Sequence, residues 1–572
     1  MTRGGRFAVR ENGHGNARVT RLSTGFGPGD PWMPGQGDAA PPGGQSTSVA
    51  TPGRWEVEDE TPPAPRAGWA AASTWRRTRV SRAILLGILV VQALLSLRLQ
   101  NTAFEDEALY LYVGHLELAH FLHGTPGPPG FTAYLSGSPV LYPVLAAAVG
   151  SVLGLAGARA LSLVLMLGAT ALLYSLTRQL FNERAGLCAA AAFAVTQSTL
   201  FLGNFATYDA AAIFLLALAA WIVVRTASSS ALLACLLAPP VAALAVAVKY
   251  ASLMFLPTVV VLAALAAFPH RRWAGLLLRA TLLPALTVAI LAGVLRLAGD
   301  TYLHAVQVTT TARAAGTADP LDLLFDCAEW GGGFLALALS GAVSYARRER
   351  MGEVPSLRQA ASRGRSWRVL LGLLLVGTAL LAPAYQMHLH TSVSLHKHVG
   401  YGLLFAAPMA GVGMSRIVGA HFRYPQLAIL TWVTLLTLGI TQSQDLYHAW
   451  ADSSHMVATL ESQLRPGRRY LVESSSVPRY YLRDQTTPGQ WFSTYAMVYV
   501  DRTGTRLSGE RAYLAAIGAA YFDVIVLDRT VTKELDDRLI QQLRTNSEYR
   551  LLARLPYRTS NGSDAYQVWV KQ

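Results

Sequence analysis

Charge is what this chain has least of. Only 14% of its 572 residues are Asp, Glu, Lys or Arg, against about a quarter in a soluble domain. A water-soluble globular protein is thereby excluded. Cysteine is scarce too. Cys188, Cys235 and Cys327 are the three, in or beside apolar runs, with neither metal-site spacing nor a disulfide framework. There is no internal repeat and no glycine-rich nucleotide loop. No cleavable signal peptide opens the chain, so the first apolar span is expected to serve as the targeting signal. The net charge of +14 does not point to nucleic acid. The bases cluster in short loops between apolar runs, which is the pattern of membrane orientation.

What is abundant is apolar sequence, at 52%. Runs of roughly twenty residues recur from Ser81 to Thr441, as helices crossing about 30 Å of hydrocarbon require. The reading is a polytopic α-helical membrane protein with about eleven spans. They fall at about 82–99, 158–177, 185–203, 207–225, 231–248, 251–268, 274–297, 322–344, 368–384, 399–415 and 425–443. Residues 1–78, rich in Gly, Pro, Ser and Thr, are expected to form a disordered cytoplasmic tail. It ends in the basic cluster Trp75–Arg82, which sets the first span running outward. Residues 138–157 are apolar but cannot cross. A crossing there would put Arg178 and Arg184, His270 to Arg272, and the basic stretch Arg347 to Arg368 outside. Laid in the interface, the segment leaves every cluster inside.

The membrane domain, 79–445, is followed by a different material at 446–572. Strand-like runs at Tyr470–Glu473, Phe522–Leu527, Tyr549–Leu555 and Tyr566–Val570 alternate with helix-like stretches at about 446–464, 508–519 and 530–545. That order predicts a small α/β domain, which an odd span count places outside the cell membrane. Its aromatic stretch, Tyr480, Tyr481, Trp491, Phe492, Tyr495 and Tyr499, could hold a glycan but fits better as core or as a docking surface.

Orientation sorts the polar residues at the membrane edge. On the outer face fall the acidic start of FEDEALYLYVGH (Phe104 to His115), Arg159, Asp209, Lys249 with Tyr250, and His396, Lys397 and His398. Ionisable groups at that depth cost several kcal/mol unless paired or hydrated, so each is a site candidate. Cations beside carboxylates suit transfer of a sugar from a lipid phosphate. The cations stabilise the departing phosphate, and a carboxylate takes the proton of the attacking hydroxyl.

Four stretches carry a resemblance: DEALYLYVGH, the arginine-bearing ARALSLVLMLGATALLYSLTRQLFNERAGLCAAAAF, NFATYDAAAIFLLALAAW and AVAVKYASLMFLP. In this order they resemble the C-type glycosyltransferase superfamily, in the branch of protein O-mannosyltransferases and bacterial lipid A aminoarabinose transferases. The likeness covers roughly residues 80–420. It implies catalytic roles for Asp106, as base, with Glu107 and Asp209. It implies donor-phosphate contacts from Lys249 and Arg159, and substrate contacts from Tyr110 and Tyr250. Relatives carry a basic residue before a Pro-Pro-Leu where this chain has Ser138-Pro139-Val140-Leu141-Tyr142. Lys397 with His396 or His398 is the expected substitute. The resemblance further implies a polyprenyl-phosphate sugar donor and a glycan, lipid or protein acceptor. It implies no obligatory cofactor or catalytic metal; a divalent cation is possible but not indicated. Two other classes fit the same charges. A secondary transporter usually shows inverted repeats and charges at the midplane, and neither is seen. A non-catalytic cell-envelope assembly protein would retain the fold without binding the donor.

Overall fold

The computed structural model describes residues 74–127, 135–229, 231–347, 364–419 and 423–572. The expected disordered tail lies almost wholly outside the described residues, as do 128–134 and 348–363.

Among the described residues eighteen α-helices follow one another. Helix α1 (Thr74–Ser96) leads to α2 (Glu105–His123), then to α3 (Tyr142–Leu180). Short α4 (Glu183–Ala194) and α5 (Gln197–Leu202) precede α6 (Tyr208–Arg225) and α7 (Ala231–Val248). A 3-10 turn at Tyr250–Phe255 opens α8 (Leu256–Ala298). Then come α9 (Asp300–Thr309), α10 (Pro320–Arg347), α11 (Arg365–Gly377), α12 (Leu381–His388), α13 (Leu395–Val418) and α14 (Pro425–Tyr447). Among the described residues nine helical stretches are long and apolar enough to cross a membrane, with Leu232–Val248 as a shorter apolar helix. The chain is a multi-pass membrane protein. Leu86, Val152, Leu297 and Leu430 stand fully out of the bundle, as lipid-facing residues do.

The expected spans are mostly found, but 231–248 forms only the shorter helix Leu232–Val248, 368–384 is interrupted by a 3-10 turn at Thr378–Leu380, and a third departs further. The run at 185–203 is not a single helix. It breaks at Val195–Thr196 into α4 and α5, because Thr196 turns to bond Phe193 O and Thr199 instead of continuing the helix.

Which ends share a face follows from side-chain contacts. Asp209 lies in the first turn of α6 and Arg225 closes it, about 24 Å apart at 1.5 Å per residue. Residues 136–138 clamp onto the α7 end beside Lys249: Ser138 N donates to Ala247 O and Tyr250 N to Ser136 O. Arg159 bonds Glu107 at the start of α2. Residues 138 and 159 therefore lie on one face, and the stretch between them does not cross. The device is Gly154, at φ 63° and ψ −162°, which breaks α3 into an interfacial arm and a span. No side chain blocks a Cβ there. The constraint is torsional, since an L-residue is strained at that φ. The 3-10 turn and α8 together hold two stretches of spanning length, Tyr250–Arg271 and Trp273–Ala298. The middle of α8 reaches the far end of α6, where Arg271 bonds Ser228 O and Arg279 bonds Thr226 O. After its end the chain is back at the near face, where Tyr385 bonds Thr310 O.

The C-terminal domain adds α15 (Ser454–Ser462), α16 (Ser476–Tyr481), α17 (Glu510–Gly518) and α18 (Lys533–Thr545). Its strands are β1 (Tyr470–Val472), β2 (Trp491–Phe492), β3 (Val498–Val500), β4 (Arg506–Ser508), β5 (Val524–Leu527), β6 (Tyr549–Thr559) and β7 (Gly562–Lys571). The main sheet runs β2-β1-β5-β7-β6, with β1 parallel to β2 and β5 and the last pairs antiparallel. All four expected strands are present. Strands β2 to β4, two or three residues long, were not expected from the sequence. The aromatic stretch is core and dock. Tyr480, Trp491 and Tyr499 are buried, and Ala103 N of the membrane domain donates to Tyr481 OH.

Candidate active site

Three consecutive acids begin α2, where the helix dipole favours negative charge. Successive helical residues point about 100° apart, so the three side chains fan out to three different partners.

Glu107 points inward and is fully buried. It takes Arg159 in a two-point pair, Nε to Oε1 at 2.9 Å and Nη2 to Oε2 at 2.7 Å. It also accepts Phe104 N and Ala206 N. The remaining Arg159 donors go to the carbonyls of Asn101 and Thr102. The pair is a staple joining α2, α3 and the loop before α6. Both groups were expected at the chemistry, yet their polar atoms are occupied with each other and with backbone.

Asp106 points toward α13. Its Oδ2 lies 2.6 Å from Lys397 Nζ, and the carboxylate keeps 33% of its surface while the lysine keeps 3%. Lys397 Nζ also sits 5.4 Å from the centre of the Phe205 ring.

Asp209 faces the same lysine from α6 and lies within electrostatic range of it. Its Oδ1 accepts Tyr401 OH at 3.0 Å, and Lys249 Nζ lies 3.5 Å from the same oxygen. Lys249 also donates to Ser136 Oγ at 2.8 Å, and the Tyr110 hydroxyl bonds Ser136 as well. This corner exists because Gly137 packs against the end of α7. A Cβ on it would meet Val248 O at 1.9 Å, so any other residue would push Ser136 off Lys249. Tyr250, in the same clamp, is buried.

His398 is buried, with Nδ1 held by Gln386 Nε2 at 2.9 Å. Asp209, Lys249, Lys397 and Arg313 all act on it electrostatically. His396 turns the other way, edge-on to Phe201 and Trp330. Four elements thus bring Asp106, Asp209, Lys249 and Lys397 together at one face. Sequence reasoning missed Tyr401, Ser136 and Arg313. Tyr401, four residues after Lys397, shares its helix face and could have been found that way. Ser136 and Arg313 sit in loops with no pattern.

Glu105 points toward the C-terminal domain, where Tyr495 OH donates to it. Burial raises its carboxyl to about 7, opposed by the Tyr495 hydrogen bond and reinforced by Asp106 and Glu473. A carboxyl raised on folding favours the folded state while both forms hold the proton. That contribution is present below the unfolded value of about 4.3 and is lost as pH rises through about 7. Thermal midpoints of the wild type should therefore fall relative to Glu105→Gln between about pH 4 and pH 7. Parallel curves across that window would show that Glu105 does not titrate there.

In the C-terminal domain Glu473, Asp528 and Asp536 lie within 4.8 Å of one another, a grouping that could hold a metal ion. Glu473 is already engaged. Its two oxygens accept the backbone N–H groups of Asp528, Arg529, Val531 and Thr532. Burial alone would raise the Glu473 carboxyl. Hydrogen bonds from Asp528, Asp536 and those amides outweigh it and hold the group low. Burial beside that charge pushes Asp528 and Asp536 up, so the three share protons.

Residues 139–296 match the family of dolichyl-phosphate-mannose-protein mannosyltransferases. No curated protein matches the chain by sequence. Among solved structures, ArnT from Cupriavidus metallidurans in the apo state is 12% identical at TM-score 0.53, covering 86% of this chain and 98% of that one. The same protein bound to undecaprenyl phosphate gives 12%, 0.52, 87% and 98%. AglB, the oligosaccharyltransferase of Archaeoglobus fulgidus, in complex with an inhibitory peptide and a dolichol-phosphate, gives 13%, 0.48, 86% and 74%. Membrane bundle, interfacial arm and C-terminal sheet together, the chain has the fold of the membrane-embedded C-type glycosyltransferases.

Proposed function

We propose that the protein transfers a sugar from a polyprenyl-phosphate donor to an acceptor hydroxyl. The observation that carries this is the convergence of Asp106, Asp209, Lys249 and Lys397 from α2, α6, α13 and the α7 turn. Two acids and two buried lysines at a bilayer edge suit a donor whose tail stays in hydrocarbon and whose phosphate does not. The binding of undecaprenyl phosphate by ArnT, of the same fold, supports the donor class.

In this reading the acceptor oxygen forms a bond to the anomeric carbon while the bond from that carbon to the phosphate oxygen breaks. The leaving oxygen carries the electron pair away as polyprenyl phosphate. Asp106 takes the hydroxyl proton. Lys249 and Lys397 balance the charge that collects on the phosphate, and His398 offers it a hydrogen bond. Lys397 has a double part: it pairs with Asp106 at rest and turns to the phosphate when donor arrives. Asp209, gripped by Tyr401, fixes Lys249. Glu107 and Arg159 act as positioning residues. Arg178 with Arg184, Arg271 with Arg279, and Arg416 with Arg423 stand at the opposite end of the bundle. The positive-inside rule then makes the site face extracytoplasmic.

Purified protein offered a panel of polyprenyl-phosphate sugars should release polyprenyl phosphate from at least one of them. A full panel with no release and no transfer would rule out the activity.

A further inference from the structure

The C-terminal domain leaves a cleft of about 500 Å³ against the membrane domain, within the roughly 300–1,000 Å³ of small-ligand sites. One wall is the start of α2, Phe104 and Glu105, with the loop after α14 at Trp450. The other consists of the carboxyl ends of β1 and β5 with the residues just past them, and the ends of β6 and β7 that flank their turn. Parallel strands present their carboxyl ends there, which is where α/β sheets bind ligands. The turn is tied down: Ser560 N donates to His448 O.

The lining chooses the ligand class. Trp450, Tyr557 and Tyr566 give ring faces, with Tyr557 and Tyr566 in contact at 5.0 Å. Asn561, Ser563 and Thr530 give neutral hydrogen-bonding groups. An anion is poorly served. The amides of 528 to 532 that could cradle one are filled by Glu473. Arg529 is paired with Asp537 at 2.7 Å and Asp564 at 3.5 Å. The cleft lies at strand ends rather than along an exposed edge, so an added peptide strand has nothing to pair with. The acids Glu105, Glu473, Asp528 and Asp564 outnumber the cations Arg529 and Lys533 in the lining, which disfavours an anion further. Apolar ring faces interleaved with hydrogen-bonding groups match a saccharide, whose pyranose faces are apolar and whose edges are hydroxyls.

The cleft also adjoins the chemistry. Phe104, in its wall, packs on Trp450 at 5.2 Å and on Phe205 at 5.9 Å. Phe205 is the ring under Lys397, the partner of Asp106. Glu105, also in the wall, is the residue before Asp106.

We infer that this cleft binds a neutral oligosaccharide acceptor and presents its end to Asp106. The hand-off to Asp106 rests on the transferase reading above; the binding does not.

The test is saturation-transfer NMR on the full chain in nanodiscs. The probes are neutral oligosaccharides of mannose, glucose, galactose, arabinose and N-acetylglucosamine, with a basic peptide as comparator. At least one oligosaccharide should bind. Ser563→Trp, at an exposed position that projects into the cleft, should weaken it at least tenfold, and Asn561→Ala should weaken it less. Both variants should elute as the wild type does. No oligosaccharide binding by the wild type, equal binding by both variants, or preference for the peptide would overturn the proposal. Release of lipid phosphate tests the parent reading separately, so the two fail independently.

Discussion

Asp106→Asn should lower sugar transfer by about 10²- to 10⁴-fold, the usual range for loss of a general base. The protein should still insert, fold and bind donor. Asparagine preserves the shape and keeps an oxygen near Lys397, but it cannot accept the acceptor's proton. The carboxylate is the part of the 2.6 Å pair that reaches solvent, while Lys397 is closed in. Of the two, only the acid can meet an incoming hydroxyl without rearrangement. Asp209 retains charge beside Lys397 in the variant, so the lysine is not stranded. The decisive measurement is single-turnover transfer with bound donor, alongside donor affinity. If Asp106→Asn keeps more than about a tenth of the rate, proton removal belongs to another group. Lys397→Met should behave differently, weakening donor binding as well as turnover.

Glu107→Ala should be the most damaging substitution in the chain for stability. It deletes the acceptor of four hydrogen bonds and leaves Arg159 charged in a closed space. Breaking a buried pair by removing one partner costs about 3–5 kcal/mol. Replacing both is far milder, so Glu107→Gln combined with Arg159→Met should recover much of the loss. A double-mutant cycle on unfolding midpoints in detergent checks this. Additive single effects would mean that the two side chains are not coupled. Activity should fall with stability, since the same carboxylate holds Phe104 N beside Asp106 and Ala206 N three residues before Asp209.

The separation of these two neighbours marks how far the sequence could be read. Hydropathy located the spans, and the basic loops implied that 138–157 stays on one face. Alternation located the long strands, since β6 and β7 carry enough residues to show a pattern. The candidate acids and lysines could be named because charge at membrane depth is expensive and therefore rare. Partnership was not legible. Lys397 and Asp106 are 291 positions apart, and no local rule assigns that lysine to Asp106 while Lys249 goes to Asp209. Nor could composition distinguish Glu107 from Asp106. Both are acids on one turn, and only burial separates the stapled Glu107 from Asp106, the proposed base. Arg159 poses the same difficulty: an arginine at a span's outer end is expected to meet phosphate, and its pairing with Glu107 has no local signal in the sequence.

The fan of acids at the start of α2 carries one more consequence. Each of the three roles depends on angular position about the helix axis, so exchanging one side chain disturbs one role. Deleting or inserting a single residue between Ala103 and Glu107 would instead turn the whole set by about 100°. Staple, base and domain contact would then each be offered the wrong partner. The segment should accept many changes of letter but no change of length.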